Sequence, residues 1–157
     1  MQSFVFHKIA TNLGYQIMKK FLISGIIAIF AMQLVQAATI CDTKIALADA
    51  RLNLMMMVMS TEKAEQDDLR VEINTASTGL DNALAAMLKD ENKTDDTQLT
   101  NLQDTWNAFR NTRETEIIPA IYAGNNDKAI EIATGVQAER MDIMNSIIQA
   151  LNGDNCN

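Results

Sequence analysis

Apolar residues return every three or four positions from about residue 40 to residue 151, and alternation at a period of two is hard to find. That spacing predicts helices and no sheet. A first helix is expected over about 39–62, with Ile45, Ala48, Leu52, Met55 and Met59 along one stripe. A second is expected over about 66–90, with Leu69, Ile73, Ala76, Leu80, Leu84 and Met87. The third, about 96–123, carries Leu99, Leu102, Trp106, Phe109, Ile117 and Ile121, and the rung between Phe109 and Ile117 is Arg113. The fourth, about 126–151, carries Ala129, Ala133, Val136, Arg140, Ile143, Ile147 and Leu151.

The breaks have turn chemistry. Asp90 to Asp96 is a polar loop ending in good N-cap residues. Gly124-Asn125-Asn126-Asp127 supplies a C-terminal glycine, a cap and an acid for the next first turn. The break between Thr61 and Asp68 has neither glycine nor proline. Pro119 falls inside the third helix, where it removes a backbone donor and crowds the carbonyl of Thr115, so a kink is expected. Gly79 and Gly135 read as points of close helix contact. Four helices of matched length with short connections predict an all-α, antiparallel up-down-up-down four-helix bundle, with both termini at one end.

Ahead of the bundle the pattern changes. Met18-Lys19-Lys20, the apolar run Phe21 to Met32 and Val35-Gln36-Ala37 form the three regions of a secretory signal peptide over 18–37, with cleavage near Ala37. The run is shorter than the roughly twenty residues a spanning helix needs, and an uncleaved anchor is the alternative. Residues 1–17 read as an over-extended start or a long n-region, and hold His7, the one histidine. The mature domain is then 38–157, located in the periplasm without a stable membrane anchor. Losing Lys8, Lys19 and Lys20, and no acid, moves the net charge from −7 to −10. So acidic a domain is repelled by phosphate backbones and anionic lipid, which argues against nucleic-acid and membrane-surface partners.

Cys41 and Cys156 are the two cysteines. In an exported chain they predict one disulfide, which closes nearly the whole domain and places the first and last helices side by side. With no mature histidine, no Gly-rich phosphate loop and no free thiol once the disulfide forms, the chain reads as a non-enzyme without a cofactor. No C-x-x-C-H haem attachment motif is present. The cluster Met55, Met56, Met57 and Met59 reads first as packing, with Met55 and Met59 on the core stripe. The alternative is a Cu(I) site using Met55, Met56 and Met59, because thioethers suit Cu(I).

Three arginines stand where the apolar pattern would not put them. Counted from the corners they share, Arg51, Arg113 and Arg140 lie within about 6 Å of one level along the bundle. They form either an ion-pair layer with Glu114, Glu116, Glu139 and Asp142, or a grip for a small organic acid, or a contact with a second subunit.

Several runs carry a family resemblance: R-L-N-L-M-M-M (Arg51–Met57), E-I-N-T-A-S-T-G-L-D-N-A-L (Glu72–Leu84), W-N-A-F-R from Trp106, I-Y-A-G-N-N-D-K-A from Ile121 and A-T-G-V-Q-A-E-R (Ala133–Arg140). Over about residues 41–151 the chain resembles the four-helix-bundle ligand-binding domain of methyl-accepting chemotaxis receptors. Haem-b four-helix cytochromes have a similar third corner, but their axial histidine is absent and Met144 stands near that place. The resemblance implies a detached sensory module that binds a small solute, a carboxylate among them, or docks on a membrane signalling protein, with a homodimer as a further assembly. It also implies that arginines on the helices receive a carboxylate, and Arg51, Arg113 and Arg140 are the candidates. Receptors of this kind continue into a second membrane helix and a cytoplasmic coiled coil, whereas this chain ends at Asn157, so the output is expected in another polypeptide. The alternatives are Cu(I) binding through methionines and a chaperone-like or structural bundle.

Overall fold

The computed structural model describes residues 39–90, 97–151 and 155–156. The expected signal peptide, the first 17 residues and most of the Asp90–Asp96 loop lie outside the described residues. Four antiparallel rods form the bundle. The first is α1 (Ile40–Met59) and the second α2 (Lys63–Leu88). The third is α3 (Thr97–Thr112), a π-helical turn (Arg113–Ile117) and α4 (Ile118–Tyr122). The fourth is α5 (Asn126–Thr134) followed by α6 (Val136–Ala150). No helix among the described residues is long and apolar enough to cross a membrane.

Local chemistry sets the rod ends. Thr39 opens α1 in a capping box: its backbone N–H donates to Asp42 Oδ2 at 2.7 Å, and Asp42 N–H donates back to Thr39 Oγ1 at 3.3 Å. The corner after α1 has no glycine; buried Gln66 holds it instead, donating to the Ser60 carbonyl at 2.7 Å. Asn126, across the bundle, donates to the Val58 carbonyl at 3.1 Å, so the third corner braces the first. Gly124 closes the third rod at φ +73°, a conformation that side chains with a Cβ rarely adopt. At the other end Cys41 and Cys156 are joined in a disulfide.

The core is built from Leu47, Leu54, Ile73, Leu80, Leu84, Leu99, Leu102, Ile117 and their neighbours, with Trp106 stacked on Phe109 at 5.6 Å between ring centroids. Burial of this apolar surface is what drives assembly. The second and third rods bury the stripes their spacing predicts. The other two depart from it.

On α1 the buried set is Thr43, Leu47, Ala50, Leu54, Met57 and Val58, while Ile45, Leu52 and Met59 point outward, Leu52 being 58% exposed. The expected stripe lies on the opposite side of the helix. This helix is apolar around most of its circumference, so periodicity has no phase to read. Met57 is therefore the fully buried member of the methionine cluster. Met55 is half-buried against the core, and Met56 and Met59 are exposed.

On the fourth rod Ala129 and Ala133 are buried as expected, but beyond them the core takes Gln137, Met144 and Ile148, and Val136 and Ile143 are exposed. Gly135 explains the slip. It ends α5 and caps α6, and a Cβ there would stand 2.9 Å from the Glu131 carbonyl oxygen. The rod is thus two helices, and the apolar phase advances by one residue at the junction. Gly79 fits its expectation of close contact, since a Cβ at that place would meet Ala46 Cβ at 3.8 Å.

The expected disturbance at Pro119 takes the form of the π turn. Proline cannot donate and its ring crowds the preceding turn. The chain widens just before it, and the Ile118 N–H reaches back five residues to the Arg113 carbonyl. The Thr115 hydroxyl donates to the Asn111 carbonyl at 2.9 Å, supporting the widened segment.

Candidate functional site

The second and third rods face each other with polar stripes beside their apolar ones. On α2, Arg70, Asn74, Ser77 and Asp81 recur at helical spacing, and Thr78 adjoins them. Opposite stand Asn107, Arg110 and Asn111 from α3, and Arg113 and Glu114 from the π turn. Between them lies an open cleft of about 560 Å³ lined by these ten side chains, all of them polar.

Arg113 forms the floor. Its side chain is 1% exposed, among the largest fully buried groups of the protein. Its Nε donates to Glu114 Oε1 at 2.9 Å and its Nη1 donates to Ser77 Oγ at 2.9 Å. Ser77 in turn donates to the Ile73 carbonyl at 2.6 Å. The guanidinium also lies 5.6 Å from the Trp106 ring centroid, within cation–π range. In an α-helix adjacent residues do not face each other. The π turn is where Arg113 and Glu114 are found paired, so the widened backbone and the buried cation belong together.

Two further arginines stand at the rim. Arg70 grips Glu114 with both terminal nitrogens, one to Oε1 at 3.1 Å and the other in close contact with Oε2. Arg110 pairs closely with Asp81 Oδ2 and donates to Asn107 Oδ1 at 3.1 Å. The other Asp81 oxygen accepts the Trp106 indole N–H at 2.7 Å, which joins the rim to the core.

The electrostatics follow from this layout. Burial lowers the pKa of Arg113, with Arg70 and Arg110 acting in the same direction, and the Glu114 carboxylate opposes them. A guanidinium stays protonated regardless, so Arg113 is a fixed buried cation. Burial pushes Glu114 up, but the hydrogen bonds from Arg70 and Arg113 outweigh it and hold the carboxyl below its usual value. Three guanidinium groups face two carboxylates, so the cleft is net positive in an acidic protein.

The three arginines singled out in the sequence go to three places. Arg113 joins Arg70 and Arg110 in the cleft. Arg140 sits at the junction of the third and fourth rods, donating to Thr112 Oγ1 and to Gln137 Oε1, both at 2.8 Å. Buried Gln137 donates to the Phe109 carbonyl at 2.8 Å, so this network reaches the segment that leads into the π turn. Arg51 is half-buried on α1, and its Nη1 is buried without a hydrogen-bond partner among the described residues. Burial lowers its pKa as well. Arg70, Arg110, Ser77 and Asp81 escaped the sequence reading. The signal available for them was the second, polar periodicity running one step beside each apolar stripe. Among the described residues no three His, Cys, Asp or Glu side chains converge as metal ligands would.

The described residues thus form a four-rod bundle with a solvent-open, net-positive cleft between two rods and its ends tied together. Residues 14–155 match the family described as a four helix bundle sensory module for signal transduction, and the chain belongs to that family. The family is one of signalling modules and not of enzymes. No curated protein and no solved structure matches the chain.

Proposed function

We propose that the chain is a periplasmic sensory module that binds a small anionic solute in the cleft between the second and third rods and reports its occupancy to a membrane signalling protein. The observation that carries this reading is the buried Arg113 guanidinium at the floor of an open cleft, flanked by Arg70 and Arg110. Both carboxylates of the cleft already pair with arginines and three guanidinium groups face them, so the charge left unmatched in the site is positive and calls for an anion. The Arg140–Gln137–Phe109 network gives a change at the π turn a route into α6. Export through a signal peptide cleaved near Ala37 places the module where solutes arrive.

Thermal unfolding of the oxidised protein against a panel of small organic acids tests the binding half. A ligand that binds the native state alone raises the melting temperature. A rise with a carboxylate that disappears in Arg110→Gln supports the reading; no rise with any acid refutes it.

The outward face of α1 supports a companion reading, contact with a protein partner or a second copy. Ile45, Leu52 and Met59 are exposed there at 60%, 58% and 67%, directly opposite the buried stripe. Sedimentation of the wild type and of Leu52→Glu, with and without membranes carrying candidate receptors, checks it. A protein that stays monomeric and unattached in every case counts against it.

A further inference from the structure

We propose that the solute is a polyhydroxylated monocarboxylate, of the sugar-acid class, rather than an apolar, aromatic, amino or phosphorylated acid. This rests on the binding reading given above and concerns what the cleft selects.

The lining contains no hydrocarbon side chain. Sites for apolar small molecules are lined mainly by aliphatic and aromatic groups, because burial of apolar area supplies their affinity. An aliphatic or aromatic acid would satisfy the arginines here but meet only the stems of polar side chains, with no aliphatic or aromatic side chain to cover its hydrocarbon portion. Trp106, the aromatic group nearest the floor, is fully buried and offers no open ring face.

What the cleft presents is a mixture of donors and acceptors. A carboxylate has about four acceptor positions. Asp81 uses two, for Trp106 and Arg110, and Glu114 uses three, for Arg70 and Arg113. Each keeps room to accept a hydroxyl proton. The side-chain amides of Asn74 and Asn111 make no hydrogen bond within the chain among the described residues, and both side chains are exposed to the cleft solvent. An amide both gives and takes a hydrogen bond, which suits a hydroxyl group, itself a donor and an acceptor.

Charge sets the remaining limit. Three arginines against two carboxylates leave one positive charge for the ligand to answer. A neutral sugar leaves it unanswered. A phosphate dianion overshoots and faces Asp81 and Glu114. The ammonium group of an amino acid would have to displace an arginine from one of those carboxylates. One carboxylate among the guanidinium groups, with its hydroxyl-bearing chain along Asn74 and Asn111, meets all these demands.

Calorimetric titration of the oxidised protein tests the class. The probes are gluconate and glucuronate, then hexanoate and benzoate as apolar monoanions, glucose as the neutral polyol, serine as an amino acid and glucose 6-phosphate as the dianion. The expected result is gluconate or glucuronate binding at least about tenfold tighter than every other probe. Asn74→Leu with Asn111→Leu, at two exposed positions of the lining, should abolish that preference, weakening gluconate while the added apolar lining leaves hexanoate bound at least as tightly as before. Equal or tighter binding of hexanoate, benzoate, serine or glucose 6-phosphate overturns the class but leaves an anion site standing. Unchanged gluconate affinity in the double variant overturns it too. If no anion binds the wild type, both the class and the binding reading fall.

Discussion

Replacing Arg113 by methionine separates what the buried cation does for folding from what it does for the cleft. Three interactions are lost. The contact over Trp106 is worth about 2 kcal/mol when desolvated, and a hydrogen bond to a charged partner about 1.5–3 kcal/mol. The bond to Ser77 is the third. Against this, the cost of holding a guanidinium out of water, several kcal/mol per ion, is relieved. Methionine also fills similar space and can place its sulfur against the indole, worth about 1 kcal/mol. No partner is stranded. Glu114 is one-third exposed and keeps both bonds from Arg70, and Ser77 keeps its bond to the Ile73 carbonyl. The net expectation for Arg113→Met is a stability within about 1.5 kcal/mol of wild type, because replacing a buried ion by a well-packed apolar group is often neutral. Arg113→Ala should lose about 2–4 kcal/mol, since it leaves a cavity beneath Trp106. Both should lose anion binding. Urea unfolding of the oxidised proteins measures the first pair of values and calorimetry the second. A loss above about 3 kcal/mol in the methionine variant, the size seen when a buried pair is broken and a charge left alone, would refute the reasoning, because it would mean that Arg70 does not suffice for Glu114.

Other expectations are more local. Glu114 titrates below its ordinary value of 4.5 in the folded protein, so its contribution is complete above that value and is lost as the pH falls through the lower folded one. The stability gap between wild type and Glu114→Gln should therefore close as unfolding is followed from neutral to acid pH; a gap that stays constant would contradict the assignment. Gln137→Leu takes the side-chain donor from the Phe109 carbonyl and leaves Arg140 with Thr112 alone, and should cost about 1–3 kcal/mol, read as a lowered urea midpoint. Gly124→Ala forces a Cβ into φ +73° and should cost about 1 kcal/mol by the same measurement. Reduction of Cys41–Cys156 opens a loop whose ends are 115 residues apart and should lower stability by up to about 5 kcal/mol, seen as a drop in melting temperature on adding reductant.

The four rods, their breaks and their antiparallel order were legible in the chain itself, because helical spacing, capping residues and turn residues act over a few positions. The cysteines at the two ends of the bundle added one long-range fact, that those ends meet. Within the third rod the spacing even marked Arg113 as a core position before any packing was known. The apolar phase of α1 was not legible, since a helix apolar on most sides can turn any face inward, and the neighbouring rods choose. Nor was the phase after Gly135, where a break of one residue moves every later side chain by about 100°. The same limit governs the site. Counting along the chain places Arg51, Arg113 and Arg140 near one expected level, but level along the axis says nothing of direction around it. Which arginines meet is decided by rotation of each rod about its own axis and by the π turn that pairs Arg113 with Glu114. Those are properties of rods packed against one another, and only the tertiary structure sets them.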